Sequence, residues 1–151
     1  MRSLFFASLL LVGCAPPDYL PGSYNFTMAS TDTESAPRMQ TNTSSGMGTM
    51  AINVGKSVDY VVTIAQSDAS PCVVEATANE KGDVISITPD QKCTFTYAGG
   101  SVTATMTTGT IKSTGDKGEG STVEVNYTYA GTTLGINFAG TGKRTYTGTR
   151  R

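Results

Sequence analysis

VEVNYTY, residues 123–129, alternates strictly: Val123, Val125, Tyr127 and Tyr129 fall on one face, and Glu124, Asn126 and Thr128 on the other. Period two is the signature of a half-buried β-strand, because successive side chains point to opposite faces of a sheet, whereas a helix repeats its apolar residues every three or four positions. The same alternation recurs on both sides. Upstream it places Tyr24, Phe26 and Met28; Met50, Ile52 and Val54; Val58, Tyr60, Val62 and Ile64; Cys72, Val74 and Ala76; Ile85 and Ile87; Cys93, Phe95 and Tyr97; and Val102, Ala104 and Met106 on inward faces. Downstream it places Leu134, Ile136 and Phe138. Threonine, at home in strands, fills many outward positions, including the ranks Thr103, Thr105, Thr107 and Thr145, Thr147, Thr149.

Turn signals separate these runs: NVGKS (53–57), NEKGD (79–83), TPDQK (88–92), AGG (98–100), STGDKGEG (113–120) and YAGTT (129–133). No segment of ten or more residues carries a helical stripe. The expectation is an all-β domain, a small antiparallel meander closing into a barrel of about eight strands, with a β-sandwich as the alternative. Residues 30–46, STDTESAPRMQTNTSSG, are polar and lack the alternation, so a long first loop is expected there.

Composition narrows the function classes. The formal net charge is −1 and no basic patch is visible, which argues against nucleic-acid binding. The chain has no histidine, so neither a Ser-His-Asp nor a Cys-His arrangement is available. The acids are scattered and read as solvated charge on turns and outward faces. A paired-carboxylate hydrolase would need two of them to meet in the fold, and no enzyme is expected. No metal or other cofactor is expected. Of three cysteines, Cys72 and Cys93 are expected to form a disulfide. Closing a loop of roughly twenty residues contributes about 3 kcal/mol in the chain-entropy view. Both cysteines open runs of the same inward parity. In a simple meander they would lie two strands apart, about 9–10 Å, beyond the roughly 7 Å that a bridge spans. The disulfide therefore requires curvature, a bulge or a non-meander order.

Before the alternating region, Met1-Arg2 leads into LFFASLLLV, residues 4–12, and then Gly13-Cys14. Nine helical residues reach about 14 Å, roughly half a bilayer core, so the run has the dimensions of a signal peptide and not of a membrane span. Leu11-Val12-Gly13-Cys14 resembles the bacterial lipobox. That resemblance implies removal of residues 1–13 and acylation of Cys14 with chains such as palmitate. Two or three chains then hold the protein on a membrane where one would not. Residues 14–20, with Pro16 and Pro17, form an extended tether of roughly 20 Å, leaving one domain over residues 21–151. Ala15 stands where an inner-membrane-retained lipoprotein often has aspartate, which implies the outer membrane in a host with two membranes.

Gly22-Ser23-Tyr24 near the start and Lys143-Arg144-Thr145-Tyr146 near the end resemble the calycin barrels, the lipocalins and fatty-acid-binding proteins. The resemblance implies that the first and last strands pair, bringing Tyr24 close to Arg144 or Tyr146 so that the guanidinium stacks on one of their rings, and that Tyr24, Arg144 and Tyr146 serve an interior ligand site. Inward Phe138 puts Gly140, Gly142, Arg144 and Tyr146 on the same face if no bulge intervenes. An inward Arg144 requires an anionic partner, and with the acids outward that partner is expected to be a ligand carboxylate. The expected function is therefore a lipid-anchored cell-envelope domain, non-enzymatic, binding a small apolar or acidic ligand in its interior. The alternative is an envelope interaction or inhibitor protein that meets a protein partner through loops or an edge strand, with residues 30–46 as the contact segment.

Replacing Cys14 with serine is expected to move the protein from the membrane fraction to the soluble fraction. A Cys14→Ser protein that stays membrane-bound and uncleaved contradicts the lipobox reading.

Overall fold

The computed structural model describes residues 20–66, 70–80, 84–97, 99–115 and 118–151. The expected signal peptide (residues 1–13), Cys14 and the residues after it up to Tyr19 lie outside the described residues. Nine strands follow one another: β1 (Gly22–Ala36), β2 (Gln40–Val54), β3 (Tyr60–Gln66), β4 (Cys72–Ala78), β5 (Ile85–Ile87), β6 (Lys92–Tyr97), β7 (Gly100–Thr114), β8 (Gly120–Thr133) and β9 (Ile136–Arg150). They form one antiparallel sheet in the order β5-β4-β3-β2-β1-β9-β8-β7-β6, and β5 also pairs with β7. That extra pairing joins the two ends of the sheet, so β1, β2, β3, β4, β5, β7, β8 and β9 make a continuous, barrel-like ring of hydrogen bonds. The all-β expectation holds, in its ring form.

β6 stands outside that ring because it continues the line of β5. Both run antiparallel to β7, β5 against its late residues (Ile85↔Ile111) and β6 against its early ones (Lys92↔Thr105, Tyr97↔Gly100). The segment between them steps sideways at Asp90, whose φ is +64°. Each backbone group freed by the step finds a partner. The amides of Asp90 and Met106 donate to Met106 O and Gln91 O, both at 2.8 Å, and Thr88 N–H donates to Glu75 O at 2.9 Å. The Gln91 side chain acts as a piece of strand towards β4: its Oε1 accepts from Glu75 N–H at 2.6 Å and its Nε2 donates to Glu75 O at 2.9 Å. This answers the disulfide problem. The stepped line lets β6 lie next to the start of β4, and Cys72 and Cys93 are joined with their Cα atoms 5.3 Å apart.

The core fills one end of the ring. Tyr24, Phe26, Met50, Ile52, Tyr60, Val62, Val74, Ile111 and Val123 are buried there. Leu20, expected in the tether, is fully buried with them, and its carbonyl accepts a hydrogen bond from the Tyr24 hydroxyl at 2.5 Å. The folded domain therefore begins at or before Leu20.

Other sequence expectations are corrected. Residues 30–46 are not a loop: they form the upper half of the β1–β2 hairpin, in register from Ser30↔Ser44 to Glu34↔Gln40. The apolar alternation is missing because the inward residues there, Ser30, Asp32 and Glu34, face a polar opening. YAGTT lies within β8, and the turn comes one step later, where Thr133 pairs with Ile136. Leu134 (φ 51°) and Gly135 (φ 77°) supply the two positive φ angles of a tight two-residue hairpin turn. Leu134 and Ile136 are consequently exposed at its tip instead of inward, and Val54, at the end of β2, is exposed as well. In β7 the register shifts between Met106 and Thr108, so inward parity passes from even residues (Ala104, Met106) to the odd Ile111.

Replacing both Cys72 and Cys93 with alanine is expected to lower the unfolding free energy by about 3 kcal/mol in urea titrations. Gln91→Ala, which removes the acceptor of the Glu75 amide while Thr88 N–H stays on the Glu75 carbonyl, is expected to cost about 1–3 kcal/mol. A neutral Gln91→Ala would show that its side chain does not hold the step.

Candidate functional site

The upper, open end of the ring is organised by two glycines on β9. Register runs unbroken across Tyr127↔Gly142↔Asp32 and Tyr129↔Gly140↔Glu34, linking β8, β9 and β1. With no side chain on β9 at these places, the tyrosines of β8 lie across it. A Cβ on Gly142 would sit 2.5 Å from the Tyr127 ring and collide with Asp32 Oδ1, and one on Gly140 would sit 2.5 Å from the Tyr129 hydroxyl. The glycines therefore mark aromatic coverage and not a bulge. Parity along β9 is kept, and Arg144 faces inward as Phe138 predicts.

Arg144 lies at the base of this end, largely buried. Its guanidinium is 5.2 Å from the Tyr127 ring centre and 5.6 Å from that of Phe95, and its Nε donates to the Tyr127 hydroxyl at 3.0 Å. Each such face contributes about 0.5–2 kcal/mol, more as water is excluded. The Tyr127 hydroxyl in turn donates to Asp32 Oδ1 at 2.5 Å, and Ser30 Oγ donates to Asp32 Oδ2 at 3.2 Å. A relay thus runs from cation through phenol to carboxylate across three strands. Among the described residues no carboxylate forms an ion pair with Arg144; the ion pair nearby is on the outer face, where Lys143 meets Glu124 at 3.5 Å. Burial holds the Tyr127 phenol well above the ordinary tyrosine range, with the hydrogen bond to Asp32 adding to the rise against the opposing pull of Arg144. Burial works against the Arg144 charge, but the Tyr146 and Tyr127 phenols outweigh it and its pKa is raised.

Above Arg144 opens a cleft of about 260 Å³, lined by Asp32, Glu34 and Asn42 on one side and by Phe95, Tyr127, Tyr129 and Phe138 on the other. Below it lies a void of about 20 Å³ against Ile64, Cys72, Val74 and Met106, room for one water. Arg144, Tyr127 and Phe95 border both spaces and partition the open cleft from the filled core. The interior is therefore a plug with a shallow mouth, sized for a small ligand.

The structure separates the three expected ligand residues. Arg144 and Tyr146 border the same small void. Tyr24 is at the closed end, where β1 pairs it with Arg150, whose guanidinium stands 6.0 Å from its ring, while Arg144 pairs with Ser30. The expected contact between Arg144 and Tyr24 is thus replaced by one between Arg150 and Tyr24. The acids are also corrected: Asp32 and Glu34 face the cleft, two residues apart on one strand. Sequence reasoning missed both because they stand in the stretch taken for a loop. The available signal was the alternation of threonine with acid in TDTE, residues 31–34.

No protein-family model matches the chain, and no curated protein matches it. Among solved structures, it is similar to a protein of unknown function from the DUF3598 family of Nostoc punctiforme, at 10% identity and a TM-score of 0.39. The match covers 87% of this chain and 48% of the other, so the chain spans about half of that protein's length.

A phenol held neutral by the folded state favours folding fully below the unfolded tyrosine pKa of about 10, and that contribution is lost as pH rises towards the folded value. Ultraviolet absorbance titration is expected to show a late-ionising tyrosine that disappears in Tyr127→Phe, with alkaline unfolding shifted to higher pH in that variant. A wild-type titration in which every tyrosine ionises in the ordinary range contradicts the relay. Gly142→Ala is expected to displace Tyr127 and to destabilise by about 1–3 kcal/mol.

Proposed function

We propose that this chain is a lipid-anchored cell-envelope domain, non-enzymatic, that binds a small ligand in the cleft at its open end, an acidic group of the ligand meeting Arg144. The membrane attachment is the acylated Cys14, and the address is the outer membrane where the host has two membranes. Arg144 carries the ligand reading: it is inward and mostly buried, lacks an ion-pair partner among the described residues, and forms the floor of an aromatic-walled cleft. An acidic group reaching it gains a charge-assisted hydrogen bond away from bulk water. The ligand's apolar part then rests against Phe138 and Tyr129. The closed-end core leaves no room for a long chain, so the ligand is short.

The non-enzymatic reading is supported by the way the two cleft carboxylates stand. A hydrolytic pair flanks the scissile bond and divides acid and base roles. Asp32 and Glu34 stand side by side on β1, and each accepts hydrogen bonds, Asp32 from Tyr127 and Ser30, Glu34 from Gln40 at 2.7 Å.

Calorimetric titration with short carboxylates, hexanoate and benzoate, tests the reading, together with native mass spectrometry of the protein purified from its own host. Arg144→Gln is expected to weaken carboxylate binding tenfold or more, as loss of a charge-assisted hydrogen bond of about 1.5–3 kcal/mol requires. Equal affinity in wild type and variant overturns it.

A further inference from the structure

The ring is closed only at its lower level. β2 pairs with β1 along nearly its whole length, from Gly22↔Ile52 to Glu34↔Gln40. β3 meets β2 only from Gly48↔Gln66 downward, and the chain has returned as β4 by Cys72, opposite Ile64. Among the described residues, 40–47 therefore hydrogen-bond through β1 alone. Alternate N–H and C=O groups of that stretch point to an open edge. Across the opening, among the described residues, β6 above Cys93 pairs with β7 alone. At the lower level β3 and β4 stand between β2 and the β5–β6 line, so the missing wall spans roughly three strand spacings, about 14 Å along the sheet. That is room for one or two further strands.

Exposed edges are ordinarily blunted by lysine, proline or a bulge. Residues 40–47, QTNTSSGM, contain no charged residue and no proline, and their register with β1 is unbroken. The threonines at 41 and 43 favour extended chain. We propose that this edge is a docking strand for an extended segment of a partner polypeptide carrying a basic side chain at a cleft-facing position. The charge follows from the neighbouring strand: Asp32 and Glu34 pair with Asn42 and Gln40 and face the cleft. A strand added to β2 stands about two spacings, roughly 10 Å, from β1, within reach of a lysine or arginine stem meeting a carboxylate. A second copy of this chain does not supply the charge, because its own 40–47 edge holds no basic residue. Backbone pairing provides affinity and the alternate side chains provide selectivity. This reading is independent of the carboxylate ligand, since it needs the β2 edge and the two acids but not Arg144.

The test uses the full-length chain in detergent, isotopically labelled, with synthetic peptides about ten residues long. One alternates threonine with lysine, one threonine with glutamate, and two carry the lysine sequence with alternate backbone amides methylated in either phase. The lysine peptide is expected to slow amide exchange within residues 40–47 and to bind at least tenfold more tightly than the glutamate peptide. One methylated phase is expected to abolish binding, and Glu34→Gln to reduce the preference for lysine. Binding is expected to persist in Arg144→Gln, which separates its failure from that of the carboxylate reading. Unchanged exchange within 40–47 for every peptide, or affinity insensitive to methylation in both phases, overturns the proposal. A peptide-free dimer with slowed exchange in 40–47 also overturns it, by making a second copy the occupant.

Discussion

Unequal strand length is the constraint from which the other features descend. Five strands run for 14 or 15 residues, whereas β3 and β4 have 7, β6 has 6 and β5 has 3. Short strands close a ring with long ones only at one level. At that level each ring strand has a neighbouring strand on both sides, and the enclosed space is narrow enough for Tyr24, Tyr60 and the aliphatic side chains to fill. Above it the long strands continue as a trough, and the trough is where the open β2 edge, the inward Arg144 and open volume coincide. The step at Asp90 and the Cys72–Cys93 bridge mark the border, since they fasten the short side to the long one at the height where the wall ends.

The chemistry of the trough comes from what β9 omits. Gly140 and Gly142 carry nothing that would hold β8 and β1 side chains apart, so Tyr127 crosses to Asp32 and packs against Arg144. Burying a guanidinium without compensation is costly, and here the compensation is distributed over two aromatic faces and a phenol whose dipole is anchored by a carboxylate two strands away. The carboxylate is therefore felt by the arginine without forming an ion pair with it, which leaves the cation available at the cleft floor.

The closed half was legible in the sequence because its physics is binary: one face apolar and buried, the other solvated. Tyr24, Phe26, Met28, Tyr60, Val62, Ile64, Val123 and Val125 all announce their face by alternation. Continuing that count through Phe138 also put Arg144 inward. The β1–β2 side of the open half was not legible, because both faces of that wall are polar, so TDTE and QTNTSS carry strand propensity without a hydrophobic signature. Leu134 and Ile136 misled in the opposite sense, being apolar residues spent on a hairpin tip. The pairing of Arg150, not Arg144, with Tyr24 depends on the register between the first and last strands, which no local pattern encodes.

Native-state amide hydrogen exchange along β2, in the absence of any ligand, tests the central claim most directly. Closure at the lower level alone predicts strong protection through Met50, Ala51 and Ile52, where β2 has neighbours on both sides. It also predicts alternating, weak protection above Gly48, where only β1 is present. Uniform protection along the whole strand would mean that the wall is closed at both levels and would contradict the account.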